Sequence, residues 1–246
     1  MVTNAYLYVL KFACGFKVIA IVGLFSSLYI NPKEGEPKTK DDASLNPLTF
    51  TIESFKWSKR IKGLNYSILG LSTFWLIGSL IQMNIIVYGP DILHLSNTNT
   101  SIIMALVAIG IGIGCYLAGV ISNHEVRTSL IPVGGIGMFI STIVIIIVDP
   151  NPVMFSILVI TIAFFAGLFK IPLNAFMQDR VEGRMLTQIL AYNNLMVFLF
   201  ILISAGIFAI VESFTGSRGV FVITALIIAI ITLIMYHKIP GARKGK

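Results

Sequence analysis

Charge is scarce in this sequence. Only 12% of its 246 residues are Asp, Glu, Lys or Arg, against about 25% in a soluble domain. That shortage excludes a disordered chain, a nucleic-acid scaffold and an ordinary cytosolic enzyme. Cysteine is almost absent too. Cys14 and Cys115 lie in apolar stretches, where they read as small buried hydrophobes, and two such residues make neither a disulfide framework nor a metal site. Phospholipid acyltransferases carry an H-x4-D pair, but His94 is followed at that spacing by Asn99, His124 by Ser129 and His237 by Ala242. A phosphate-cradling G-x4-G-K loop is missing as well. No catalytic residue, cofactor or metal ligand is therefore expected, and the chain reads as a non-enzyme. The first apolar stretch is too long for the core of a signal peptide and lacks an A-x-A-like exit, so no cleavable leader is expected.

Hydrophobic residues make up 56% of the chain. They gather into runs long enough to cross a hydrocarbon core of about 30 Å at about 1.5 Å per residue. Seven spans are expected: Tyr6–Ile30, Tyr66–Gly89, Ser101–Ser122, Ser129–Val148, Val153–Phe176, Gln188–Val211 and Gly219–Tyr236. Turn chemistry separates them at Gly89-Pro90-Asp91, Ser122-Asn123-His124, Asp149-Pro150-Asn151-Pro152 and Gly216-Ser217-Arg218-Gly219. The fold class is an all-α polytopic membrane protein.

Lysine and arginine set the expected orientation. Fourteen of the 18 basic residues fall on the side of the loop after the first span, Arg218 alone falls on the other, and Lys11, Lys17 and Lys170 lie within spans. Such a bias puts the N-terminus outside and the C-terminus in the cytoplasm. The organisation is a first helix (1–30), a cytoplasmic loop (31–65), a six-helix bundle (66–236) and a basic tail (237–246). In the loop, Leu48, Ile52 and Phe55 recur at helical spacing with Lys56, Lys59 and Arg60 on the other side. The pattern fits either a short helix in the headgroup layer or a solvated linker. The glycines at 110, 112, 114 and 119, and at 134, 135 and 137, read as surfaces where helices pack closely.

Polar residues inside spans carry the functional expectations. Lys170 sits two residues before Pro172, and Gly167, Lys170, Asn174 and Gln178 share one helix stripe. A lysine at membrane depth costs about 2.5–3.5 kcal/mol on insertion scales. It therefore either lines a wet cavity that meets a lipid phosphate or snorkels to the interface. Lys17 lies mid-span, and no span interior contains an acidic partner for either lysine. Ser72, Trp75, Ser79 and Gln82 form a second stripe, and Asn193 follows Tyr192 in the sixth span; each of these either hydrogen-bonds a neighbouring helix, the commoner role, or meets substrate. The candidate substrate-binding set is Lys17, Trp75, Gln82, Lys170, Asn174 and Asn193. Arg180 and Arg184 read as anchors for anionic headgroups.

Three stretches carry a family resemblance. SILGLSTFWLIGSL (Ser67–Leu80), GIGIGCYLAGVISNHEVRTSLIPVGGIGMF (Gly110–Phe139) and FFAGLFKIPLNAFMQDRVEGRMLTQILAYNN (Phe164–Asn194) resemble the seventh, eighth-to-ninth and tenth-to-eleventh helix regions of bacterial lysophospholipid transporters of the major facilitator superfamily. The pattern departs at Asn123, where an acidic residue is usual, and at Lys170, where an aliphatic one is. The resemblance implies the sixth helix, central loop and C-terminal half of a twelve-helix carrier in the bacterial inner membrane, moving lysophospholipid by alternating access. It implies as partners membrane lipids and either a separate N-terminal half or a second copy, and no nucleic acid. Two other readings are a non-functional fragment of a split transporter gene and a seven-helix receptor. A retinal-binding receptor would need a lysine in the last span, and Gly219–Tyr236 has none.

Overall fold

The expected break at Asp149–Pro152 shows how local chemistry starts a helix here. Asn151 adopts an extended conformation and its side chain accepts a hydrogen bond from the Met154 amide at 2.9 Å. Pro152 then occupies the first helical position, where no amide donor is needed. Ser96 caps the helix from Asn97 in the same manner, accepting from the Asn99 amide.

The computed structural model describes residues 21–26, 47–123 and 125–242. The chain divides into two compact units, Met1–Asp42 and Ala43–Lys246. In the first unit, residues 21–26 are helical (α1) and fall inside the first expected span. Lys11, Cys14 and Lys17 lie outside the described residues. The second unit carries α2 (Pro47–Ser58), α3 (Leu64–Asp91), α4 (Asn97–Ser122), α5 (Leu130–Val148), α6 (Pro152–Asp179) and α7 (Gly183–Lys238). Five of these, α3 to α7, are long and apolar enough to cross a membrane. Their outward faces carry Ile109, Ile113, Phe198, Leu202, Ile230 and Leu233, all exposed, as a lipid solvent permits.

The last two expected spans form a single 56-residue helix bent at Gly216 rather than two helices joined by a loop. Gly216 has φ 68° and ψ −176°, a region that only glycine occupies comfortably. The bend lies in the predicted Gly216–Gly219 break and separates limbs 183–215 and 217–238. Asn84, fully buried in α3, donates to the Ser217 carbonyl at 2.9 Å and so satisfies one acceptor at the bend. Beside it, Arg218 pairs with Asp149 at 2.7 Å. Because a methyl at residue 216 meets no atom within 4 Å, Gly216→Ala tests backbone strain alone. It is expected to cost about 1–3 kcal/mol, read as a lower melting temperature in detergent.

α6 is the hub, packing on α3, α4 and α5, while α7 packs on α3 and α5. Glycine permits the closest approaches. A Cβ at Gly110 or Gly114 would strike the backbone of α6, one at Gly134 or Gly137 would strike α6 around Phe165 and Phe169, and one at Gly135 would strike Thr232 of α7. The packing role expected for the glycine clusters holds at these five positions, whereas Gly112 and Gly119 face open space. Ser67 of α3 ties the hub further, donating to the Leu173 carbonyl beside Pro172 at 2.7 Å.

α2 forms where the loop pattern predicts a short helix, but its faces differ from the expected division. Ile52, Phe55, Lys56 and Lys59 share one exposed stripe, with the Lys59 ammonium 4.3 Å from the centre of the Phe55 ring. Phe50 and Trp57 turn toward the bundle instead. Three- and four-residue spacing places apolar and basic residues together, so the division into opposite sides does not hold for them.

Candidate functional site

A hollow of about 430 Å³ opens between α3, α4 and α6. Its deep wall consists of Ile85, Met138, Val159 and Ile162, all buried. Its mouth is formed by Trp75, Gly78 and Gln82 on one helix and Ala108 on another, all exposed. The lining is almost wholly apolar, with Ser79 and Gln82 as polar exceptions.

Trp75 and Gln82 thus stand where the polar stripe of the third helix places them. Ser72 does not: it is fully buried and its hydroxyl donates back to the Ile68 carbonyl. The stripe that faces the hollow runs through Trp75, Gly78, Ser79 and Gln82, so it keeps three residues of the expected one and has Gly78 in place of Ser72.

Lys170 stands beside the mouth. Its ammonium lies 4.9 Å from the centre of the Trp75 ring and 5.3 Å from that of Phe74. Both rings also line the hollow. At about 1.5 Å per residue, Lys170 is about 13 Å from the Asp179 end of α6. Among the described residues, no carboxylate lies within ion-pair distance of it. The cation is held by aromatic faces, worth about 0.5–2 kcal/mol per ring depending on desolvation. With three N–H bonds and two rings, the ammonium keeps a donor for an acceptor.

The other expected residues are spread more widely. Asn174 follows one turn beyond Lys170 on α6 and is half-buried; it is outside the wall of the hollow. Asn193 is buried in the first limb of α7, away from the hollow, with a side-chain carbonyl that has no hydrogen-bond partner. Lys17 falls outside the described residues. The structure therefore brings Lys170 against Trp75, sets Trp75 and Gln82 along one hollow, and leaves Asn174 and Asn193 outside its wall. Gly78, Ala108 and Phe74 are the members that sequence reasoning missed. Gly78 was legible in principle, since it lies three residues after Trp75 on the same face.

At the end of the bundle where α6 and α7 terminate, Arg127, Thr128, Asp179, Arg180 and Pro240 line a second, polar hollow of about 290 Å³. Thr128 closes one side by donating to the Pro240 carbonyl at 3.0 Å. The Arg180 guanidinium lies over the Phe176 ring at 4.8 Å.

Residues 4–205 match the family model described as Major Facilitator Superfamily. Among curated proteins, the chain is similar to the lysophospholipid transporter LplT of Photorhabdus laumondii, at 29% identity over 61% of this chain and 38% of that protein. It is similar to the LplT of Cronobacter sakazakii at 26% identity over 68% of this chain and 42% of that one. A Yersinia pestis LplT is 30% identical over 47% of this chain and 28% of its own length. The chain spans about two fifths of the length of the first two relatives. No solved structure matches.

Proposed function

The chain belongs to the major facilitator superfamily, and from that premise we propose that it moves lysophospholipid across the bacterial inner membrane. One observation carries the reading. An ammonium about 13 Å inside a membrane-spanning helix rests on two aromatic rings at the mouth of an apolar hollow, with no carboxylate in reach among the described residues. An anionic phosphate joined to an acyl chain complements both parts at once. The phosphate accepts from Lys170, while the chain leaves water for the hollow. Gln82 and Ser79 supply further hydrogen bonds near the mouth. Asn174 and Asn193 belong to the proposed path rather than to this contact, while Lys17 lies outside the described residues.

The mouth is exposed, so a second bundle has room to close over it. That bundle is either a separate N-terminal half or another copy of this chain. Rocking of the two about the site would expose the bound headgroup to each side in turn. The bias of basic residues supports an orientation with the Arg127 and Arg180 end in the cytoplasm. There, the outward stripe of α2 would rest in the headgroup layer, where its lysines meet anionic lipid.

Uptake of labelled lysophosphatidylethanolamine into spheroplasts tests the reading, with the chain made alone and together with a candidate N-terminal half. Uptake above the level of untransformed cells in either case is expected. Absence of uptake in both, with the chain present in the membrane, contradicts it.

A further inference from the structure

We propose that the hollow between α3, α4 and α6 is a slot for one acyl chain, kept open at its mouth by Gly78 and Ala108. This inference rests on the lysophospholipid reading and adds to it the means by which a single-chain lipid is told from a two-chain lipid.

Three observations lead there. The lining is aliphatic throughout its depth, from Ile77, Ile81 and Ile85 on α3 to Val159, Ile162 and Ala163 on α6. Nothing in that depth recognises a headgroup, a sugar or a peptide by hydrogen bonding. The capacity is also narrow. Its volume is about 430 Å³, and it is open on the side of its mouth. Space of that order suits one acyl chain better than two side by side.

The mouth is the third observation. Gly78 and Ala108 are its two smallest residues, they come from different helices, and both are exposed. A Cβ at Gly78 would meet no atom within 4 Å. Helix packing therefore does not require glycine there, unlike Gly110 and Gly114 on the neighbouring helix. A glycine with free space beside it costs helix stability and returns only the space. Trp75, one turn away, lines the slot and has the Lys170 ammonium 4.9 Å from its ring centre. A lipid with its phosphate on Lys170 thus has its chain at the entrance.

Trp75 also reports on the slot. The chain has two tryptophans, so Trp57→Phe leaves Trp75 as the sole emitter. That variant, full length in nanodiscs, is titrated with lysophosphatidylethanolamine brominated along its chain. A brominated diacyl phosphatidylethanolamine at equal mole fraction serves for comparison. Quenching by the single-chain lipid is expected to saturate, while quenching by the diacyl lipid rises only in proportion to its mole fraction. Gly78→Leu should weaken the saturating component at least tenfold, Ala108→Leu should do the same from the facing wall, and Gly78→Ala should leave it nearly unchanged. Saturating quenching by the diacyl lipid overturns the slot. So does unchanged single-chain quenching in whichever leucine variant keeps the melting temperature of the parent. Saturating quenching without uptake in spheroplasts keeps the slot and removes the carrier reading. Uptake without saturating quenching does the reverse.

Discussion

Lys170→Gln is expected to lower lysophospholipid uptake by about tenfold to a hundredfold, while Lys170→Arg retains most of it. A hydrogen bond to a charged group contributes about 1.5–3 kcal/mol, and every 1.4 kcal/mol is about a factor of ten. Glutamine is one bond shorter than lysine and keeps a hydrogen-bond donor at its end, but it removes the charge. Arginine keeps the charge and stacks on aromatic rings at least as well as lysine, so Phe74 and Trp75 can still hold it. The initial rate in vesicles, with protein level measured in the same preparation, separates the two variants. If lysine only snorkels toward the interface, glutamine and arginine should both transport like the parent.

The second large effect concerns the fold. Gly114→Ala is expected to cost at least about 3 kcal/mol, and Gly112→Ala, two residues earlier on the same helix, almost nothing. A methyl at residue 114 overlaps the carbonyl of Phe164. Backbone cannot rotate out of the way as a side chain can, so α4 and α6 must separate along their crossing. A methyl at residue 112 meets nothing within 4 Å and removes the entropic penalty of a helical glycine, a gain of up to about 1 kcal/mol. Melting followed by intrinsic fluorescence in detergent measures both. Equal melting temperatures for the two variants would mean that the α4–α6 crossing is looser than described.

The contrast between these glycines also marks what the sequence can and cannot express. Long apolar runs fix helices because a bilayer leaves backbone groups no other partner, and the starts at Ser96 and Asn151 follow from capping chemistry alone. Composition makes the glycine clusters recognisable as packing surfaces. Which glycine meets a neighbour is a matter of helix rotation, and that is set by tertiary contacts: Gly114 and Gly112 look alike in sequence and differ completely in space. The join between the last two spans is a similar case. Gly216 is visible as a breaker, but whether a breaker makes a loop or a bend depends on partners such as Asn84, which reaches Ser217 across 133 residues of chain.

The site was partly legible for the same reason. Trp75 and Gln82 share a face by periodicity, and Lys170 stands out because a charge at depth must be accommodated. Their meeting beside one hollow requires α3 and α6 to pack, which no spacing within either helix encodes. Ser72 was misplaced because hydroxyls in apolar helices bond back to their own helix, as Ser72 does to Ile68. Gly78 went unnoticed because a residue that acts by leaving space has no chemistry of its own to read.

The most direct measurement compares two ligands that share an acyl chain and differ in the phosphate. Native mass spectrometry of the purified chain, exposed to equal amounts of lysophosphatidylethanolamine and the matching monoacylglycerol, counts each bound lipid. A phosphate held by Lys170 predicts at least a tenfold preference for the lysophospholipid, lost in Lys170→Gln. Equal retention of the two lipids by the unaltered chain, or a preference that survives the glutamine variant, would contradict it.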